Sequence, residues 1–477
     1  MKFFSFHLLF LLLLTRFHAT AQQKKSPVGS RPNIILIIAD DLGYGDLSCY
    51  GQQKFKTPNL DKLAAEGMRF TQFYSGSTVC APARATLMTG LHTGHSPIRG
   101  NRSMQPEGQF PLPDSTVTIA AWLKKMGYTT GAFGKWGMGP PASAGEPLNQ
   151  GFDQFYGYLC QAKAHNYYPP YVWNNREKEF FPSNEEGAGI YSADTIHRKA
   201  LQFLEQQKPE QPFFLFLPYT IPHGDVMVPH DEVYEHYKKQ FAGDSVPPPP
   251  AEKRRHKVFE SYPHAGFAAM VSRLDRYVGE VVAQVQKMGL AENTLVLFTS
   301  DNGPHRENGG DPEFFDGNGI YKGIKRDLYE GGIRVPFIAW WPGTISKKQV
   351  NNDPLILYDI FPTLQELAGI PVSQHIDGIS MVPALTGKKQ PAHAYLYWEF
   401  HEQGGKQAVR LGNWKGIRLN VSTQENPPIE LYNLDHDPVE ENNVADKHPD
   451  IVKQIEAIMQ EAHVPDRNWP LLPSEKK

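Results

Sequence analysis

Cysteine is scarce in this chain of 477 residues, which has only Cys49, Cys80 and Cys160. At most one bridge can form, so a disulfide framework is excluded and at least one thiol is left over. An excess of charge of one sign is also missing. Lys plus Arg number 48 and Asp plus Glu 51, a formal net charge of −3, so no overall basic field draws in nucleic acid or an anionic membrane. Any preference for anions must be local. Long hydrophobic runs are absent too. The apolar stretch from Phe3 to Leu14 is about 12 residues, short of the roughly 20 that cross a bilayer, and no later segment could span. Preceded by Lys2 and followed by Ala19-Thr20-Ala21, it predicts a signal peptide over residues 1–21 and a periplasmic or secreted protein without stable membrane insertion. Internal repeats are not found. With 40% hydrophobic and 21% charged residues, 41 Gly and 40 Pro, the composition suits a loop-rich globular enzyme and excludes disorder or fibre.

What is present alternates between strand and helix. Asn33 to Ala39 is an unbroken apolar, largely β-branched run, as in a central parallel strand buried on both faces. Thr57-Pro58 and Gly67 bracket a helix with a cap, an N1 proline and a C′ glycine. Further helices are predicted near 116–126, 193–207 and 267–288, and strands near 129–133, 213–217, 295–299 and 335–340. The expected fold class is therefore α/β, a large mostly parallel or mixed sheet sandwiched by helices. Beyond about residue 385 the texture shifts to four short strand candidates and a helix near 450–462, read as a small antiparallel sheet with one packed helix. The predicted organisation is a signal peptide over 1–21, a catalytic domain over 30–385 and a small α+β subdomain over 386–477.

Sheets of this kind place their sites at the carboxyl ends of strands. Asp40 and Asp41 end the first strand, and Ser300-Asp301-Asn302-Gly303 ends a later one. Taken alone each group could simply cap a loop. If the two ends converge, Asp40, Asp41, Asp301 and Asn302 form an oxygen cage for one divalent metal, Ca²⁺ or Mg²⁺. Cys80-Ala81-Pro82-Ala83-Arg84 puts a cysteine at a helix start, where backbone N–H groups favour an anion, and Arg84 one turn along. On its own that placement fits a reactive thiolate or a buried structural cysteine.

The run C-x-P-x-R followed by Thr89-Gly90 resembles the signature of the type I, formylglycine-dependent sulfatases of the alkaline-phosphatase-like superfamily. The resemblance spans essentially the whole mature chain. It includes Asp40-Asp41-Leu42-Gly43, Thr57 to Asp61, Gly134-Lys135-Trp136, Pro218 to His223, Ser300 to Gly303, and Lys325 through Glu330 to Pro336. The resemblance implies that Cys80 is oxidised to formylglycine by a maturation enzyme, and that its hydrated aldehyde is the nucleophile. Residue 80 would then join Asp40, Asp41, Asp301 and Asn302 around the metal. It further implies that Arg84 stabilises the hydrated aldehyde, Lys135 and Lys325 clamp sulfate oxygens, and His223 with Lys325 protonates the leaving oxygen. A covalent sulfate ester would then collapse by elimination.

One departure stands out. The family pattern Gly-Lys-Trp-His-x-Gly is here Gly134-Lys135-Trp136-Gly137-Met138-Gly139, and Gly137 does no acid–base work. His165 is the first candidate replacement and His305 the second. Aromatics and charges in Tyr167–Trp173 and Tyr397–His401, with His401 itself, are candidates for stacking and hydrogen-bonding a sugar. The expected activity is hydrolysis of sulfate monoesters on sulfated carbohydrates. The alternatives are a phosphonate or phosphodiester hydrolase on the same fold, or a catalytically silent glycan-binding protein.

Overall fold

The apolar run Asn33–Ala39 is a fully buried strand in the interior of a ten-stranded sheet. The computed structural model describes residues 27–476 apart from 308 and 374, so the segment expected to be a signal peptide lies outside the described residues. Parallel neighbours flank the central strand, Thr294–Ser300 on one side and Phe213–Pro218 on the other. Thr129–Lys135 and Gln154–Tyr158 extend the parallel block. Beyond it the sheet turns antiparallel at Phe337–Trp340 on one edge and at the hairpin Tyr171–Asn174, Glu177–Phe180 on the other.

A parallel sheet needs both faces covered. Ile35 and Ile37 point into a core shared with helices Pro58–Glu66, Ser192–Glu205 and Pro263–Lys287. Ile34, Leu36 and Ile38 point into another, shared with Cys80–Thr89, Ile119–Lys125 and Ile360–Leu367. The α/β expectation holds, with the sheet mixed at its edges. The helix after Thr57 forms where expected, but by other means. Thr57 makes no side-chain cap bond and its hydroxyl accepts from the Ser48 N–H instead. Gly67 is not left-handed; a Cβ there would lie 2.3 Å from the carbonyl oxygen of Ala339. Close packing of the strand at Phe337–Trp340 therefore requires that glycine.

The C-terminal strands Leu396–Phe400, Lys406–Leu411, Trp414–Leu419 and Ile429–Asn433 form an antiparallel sheet in that order. Helix Pro449–Ala462 covers one face, setting Ile455, Met459 and Ala462 on Tyr397, Val409 and Leu431. The other face packs on Tyr74, Ile333 and Ile356 of the large sheet's side. Lys415, fully buried, crosses this boundary to Glu330 and also holds Glu440 on its own side, both at 2.9 Å. Burying one cation with two carboxylates is tolerable only while all three are present. Lys415→Met is expected to cost about 3–5 kcal/mol, read as a lowered urea midpoint. All three cysteines are free thiols.

Candidate active site

Four adjacent strands of the parallel block end side by side, in the order Thr294–Ser300, Asn33–Ala39, Phe213–Pro218, Thr129–Lys135. Each delivers charged or ionisable groups at or just past its carboxyl end: Asp301 with Asn302, Asp40 with Asp41, His223, and Lys135. The fold thus brings together residues far apart in the chain. Asp41 sits at φ 62°, a left-handed position for a non-glycine residue, and its N–H donates to Asp301 Oδ1 at 3.1 Å. Strain of this kind persists where surrounding structure enforces it.

Cys80 begins a helix whose ten residues are all buried. Its Sγ lies 3.3 Å from Asp40 Oδ1 and 3.9 Å from Asp41 Oδ1. Burial and the Asp40 charge push the thiol well above its ordinary range, toward the neutral form. Arg84, one turn on, forks onto Asp301 Oδ2 through Nε (3.0 Å) and Nη2 (2.8 Å), with Nη2 3.7 Å from Asp40 Oδ1. Lys135 Nζ donates to Asp40 Oδ2 and Lys325 Nζ to Asp41 Oδ2, each at 2.7 Å. Three carboxylates and three cations are therefore packed out of water.

The balance among them is uneven. Burial opposes ionisation of Asp40 and Asp41, yet the cations beside them outweigh it and hold both below the usual range. Asp301 goes the other way, pushed up to about 7 by burial and Asp40 despite Arg84. Asn302 donates Nδ2 to Asp41 Oδ1 at 2.7 Å, while its own buried Oδ1 has no hydrogen-bond partner. A buried acceptor left unpaired is costly. Hard oxygen donors with one orphaned amide oxygen fit a divalent cation. Asp40, Asp41, Cys80 and His223 also offer ligand atoms within 4.8 Å of one another.

His223 completes the cluster. Its Nδ1 bonds the Gly224 carbonyl, leaving Nε2 to face Lys325 Nζ at 3.0 Å and Asp41 Oδ2 at 3.1 Å. Burial and the neighbouring Lys325 hold it well below the usual histidine range, so it rests neutral. Burial works against the charge of Lys325, but Asp41 outweighs it and keeps the ammonium protonated.

The family model described as Sulfatase matches residues 32–370. The chain belongs to the sulfatase family. It is a sulfuric ester hydrolase of the alkaline-phosphatase-like fold. A second model, described as N-sulphoglucosamine sulphohydrolase, C-terminal, matches residues 318–464. The sulfatase is similar to N-acetylgalactosamine-6-sulfatase of Mus musculus, 32% identical over 403 residues, which cover 80% of this chain and 71% of the relative. It is also similar to arylsulfatase A of Homo sapiens, 32% identical over 488 residues, covering 90% and 87%. Among solved structures, Ps i-CgsB in complex with k-i-k-neocarrahexaose superposes with a TM-score of 0.76 at 28% identity, covering 94% of this chain and 96% of that one.

In this sulfatase the remaining sequence candidates fall in different places. The His165 ring stands edge-on to His223, 4.2 Å between centroids, and burial with Lys135 and Arg255 pushes it down to about 3. His305 lies behind His223, stacked at 5.3 Å; its Nδ1 accepts from the Glu307 N–H and its Nε2 lies 3.4 Å from the Pro222 carbonyl. It braces the His223 turn. His401 stands in a separate buried network with Glu399, which also holds Arg99 and His463.

The aromatic clusters are a correction. Tyr167, Tyr168, Trp173, Tyr397, Trp398 and Phe400 are all buried and serve as core, which leaves Tyr171, half-buried, as the aromatic ring of the two clusters with an exposed part. Tyr167 instead sets its hydroxyl against the carbonyls of Thr220 (2.6 Å) and His223 (2.9 Å), fixing the histidine's loop. Two neighbours have no signal in the sequence. Glu307 reaches Lys325 Nζ at 3.5 Å and His223 Nε2 at 3.7 Å. Gln161 fills the room at Gly137: a Cβ on that glycine would lie 2.8 Å from Gln161 Nε2, itself buried without a partner.

Proposed function

We propose that this sulfatase cleaves a sulfate ester of a sulfated carbohydrate, with residue 80 as formylglycine and one divalent cation, Ca²⁺ or Mg²⁺, held by Asp40, Asp41, residue 80, Asp301 and Asn302. The observation that carries the reading is the orphaned Oδ1 of Asn302, whose Nδ2 donates to Asp41 in the same carboxylate group that Cys80 meets through Asp40. When bound, the cation supplies Lewis-acid polarisation of a sulfate oxygen. The chain's own residues do the rest. Lys135 and Lys325 present buried ammonium groups to the other sulfate oxygens, where low dielectric makes each worth far more than in water. Arg84, pinned on Asp301, fixes one side of the cage. The Lys325–His223 pair holds a proton between Nζ and Nε2 for the leaving oxygen, and the Nδ1 bond to Gly224 fixes the tautomer. His165 edges the same space. A carbohydrate sulfate is supported by the similarity to N-acetylgalactosamine-6-sulfatase.

The proposal extends to biogenesis: export directed by residues 1–21, conversion of Cys80 by a formylglycine-generating enzyme, and catalysis within 30–385 with 386–477 as a supporting subdomain. The test is sulfate release, followed by ion chromatography, from sulfated oligosaccharides and an aryl sulfate, using enzyme with mass-verified aldehyde at residue 80. Stripping with a chelator should stop turnover, and Ca²⁺ or Mg²⁺ should restore it. No sulfate from any member by such enzyme would overturn the reading and turn attention to phosphodiesters and phosphonates.

A further inference from the structure

One strongly basic run takes no part in the chemistry above: Lys253-Arg254-Arg255-His256-Lys257, between the four consecutive prolines at 247–250 and helix Pro263–Lys287. In a chain with a net charge of −3, such a run is a local field of the kind the composition left open. The fold brings it to the edge of the active site. Arg255 Nη1 lies 3.4 Å from His165 Nδ1, and the same imidazole meets His223 edge-on with 4.2 Å between ring centroids. A single ring therefore separates the guanidinium from the proton-donating pair.

Lys253, Arg254, Arg255 and His256 line a cavity of about 340 Å³ together with Asp225, two residues past His223, and with apolar side chains such as Val226 and Phe259. Its charges are incompletely matched. Asp225 is shared between Arg255 (3.8 Å) and His256 (3.3 Å), and burial holds His256 below its ordinary range, toward the neutral form. Glu260, the other acid on the cavity wall, is engaged by the Tyr234 hydroxyl and the Tyr262 N–H. Arg254 is tethered through Nε to the Pro249 carbonyl, and Lys257 reaches the carbonyl of Glu185, away from the cavity's centre. Arg255 keeps a side chain 46% exposed, with a planar fork suited to a sulfate or carboxylate.

Building on the proposed carbohydrate sulfatase activity, we propose that Lys253, Arg254 and Arg255 form a second anion subsite, and that the substrate is a polyanionic saccharide carrying another sulfate or a carboxylate beside the ester being cleaved. Recognition at this subsite is long-range charge attraction followed by forked hydrogen bonding, so it acts on capture more than on the chemical step.

The experiment uses full-length enzyme, aldehyde at residue 80 verified, on three disaccharides sharing one target sulfate ester: one with no other charge, one with a second sulfate, one with a uronate carboxylate. At low ionic strength the parent should favour a doubly charged sugar by about tenfold in kcat/KM, mainly through KM, with the preference fading as salt rises. Which arm is favoured identifies the anion. Arg254→Ala/Arg255→Ala should reduce the preference to below about twofold, and Arg255→Lys, which keeps the charge, should retain most of it. Equal use of all three sugars, a preference that survives the double substitution, or an equal loss on the singly sulfated sugar would each overturn the subsite. Cleavage of the singly sulfated sugar by the parent separates the two claims: its presence without any preference sinks the subsite alone, and failure on all three sugars sinks the carbohydrate reading with it.

Discussion

The Cys80→Ala enzyme is expected to release sulfate more slowly by a factor on the order of 10⁴ or more, with its fold intact. The reason is geometric. Residue 80 lies 3.3 Å from Asp40, within a buried cluster of three carboxylates and three cations, and in the proposed reaction it is the group that attacks the sulfur centre. The alanine is small and sits in a helix it favours, which keeps the stability change minor. The measurement is sulfate release per mole of enzyme, beside a thermal melt and a mass spectrum of the peptide spanning residue 80. In the parent that peptide should show a thiol exchanged for an aldehyde. A Cys80→Ala enzyme with parent-like turnover would remove residue 80 from the reaction. So would an active parent whose residue 80 is entirely thiol, at least as the aldehyde.

The second large effect is at His223. His223→Ala removes the acceptor 3.0 Å from Lys325 Nζ and with it the orientation of the proton. The expected loss is roughly 10²–10⁴-fold in kcat, and it should depend on the leaving group. A sugar alkoxide needs a proton as the ester bond breaks, while a nitrophenolate departs readily without one. The variant should therefore lose far more activity on the sugar sulfate than on 4-nitrophenyl sulfate. Equal losses on both would show that His223 only shapes the pocket. Lys325→Ala should hit both substrates, because in the proposed mechanism it removes a sulfate clamp as well as the proton's other seat.

The fold was legible where apolar runs are long and unbroken. Asn33 to Ala39 reads as a buried parallel strand and 213–217 and 295–299 as strands of a mostly parallel sheet, and all three form buried parallel strands, the last two as Phe213–Pro218 and Thr294–Ser300. Gln154–Tyr158 was missed because it lacks β-branched residues and contains Gly157. That strand exists because the glycine admits its partner: a Cβ there would lie 1.9 Å from the carbonyl oxygen of Gly134. Tyr167 and Trp398 look from sequence like sugar platforms, since exposure is a property of the tertiary fold and amphipathic rings serve either role. In the site, residues at strand ends were legible because a parallel sheet gathers those ends at one edge. Glu307 and Gln161 were not, because Glu307 comes from a loop and Gln161 from the four-residue helix Gln161–Ala164, too short for any periodicity to announce.

The burial of the Cys80–Thr89 helix sets an order of events. Cys80 is only 1% exposed, walled by a helix with no exposed face and by strand ends that meet only when the sheet has closed. If residue 80 is converted as proposed, the modifying enzyme needs that thiol exposed, so its action competes directly with folding. Every molecule that closes first is sealed with its thiol, and reopening it means undoing the central sheet. The fraction of competent enzyme is then a kinetic quantity, set by the time the chain stays open against the supply of its modifier. Slower synthesis or more modifier should raise specific activity without changing a single residue.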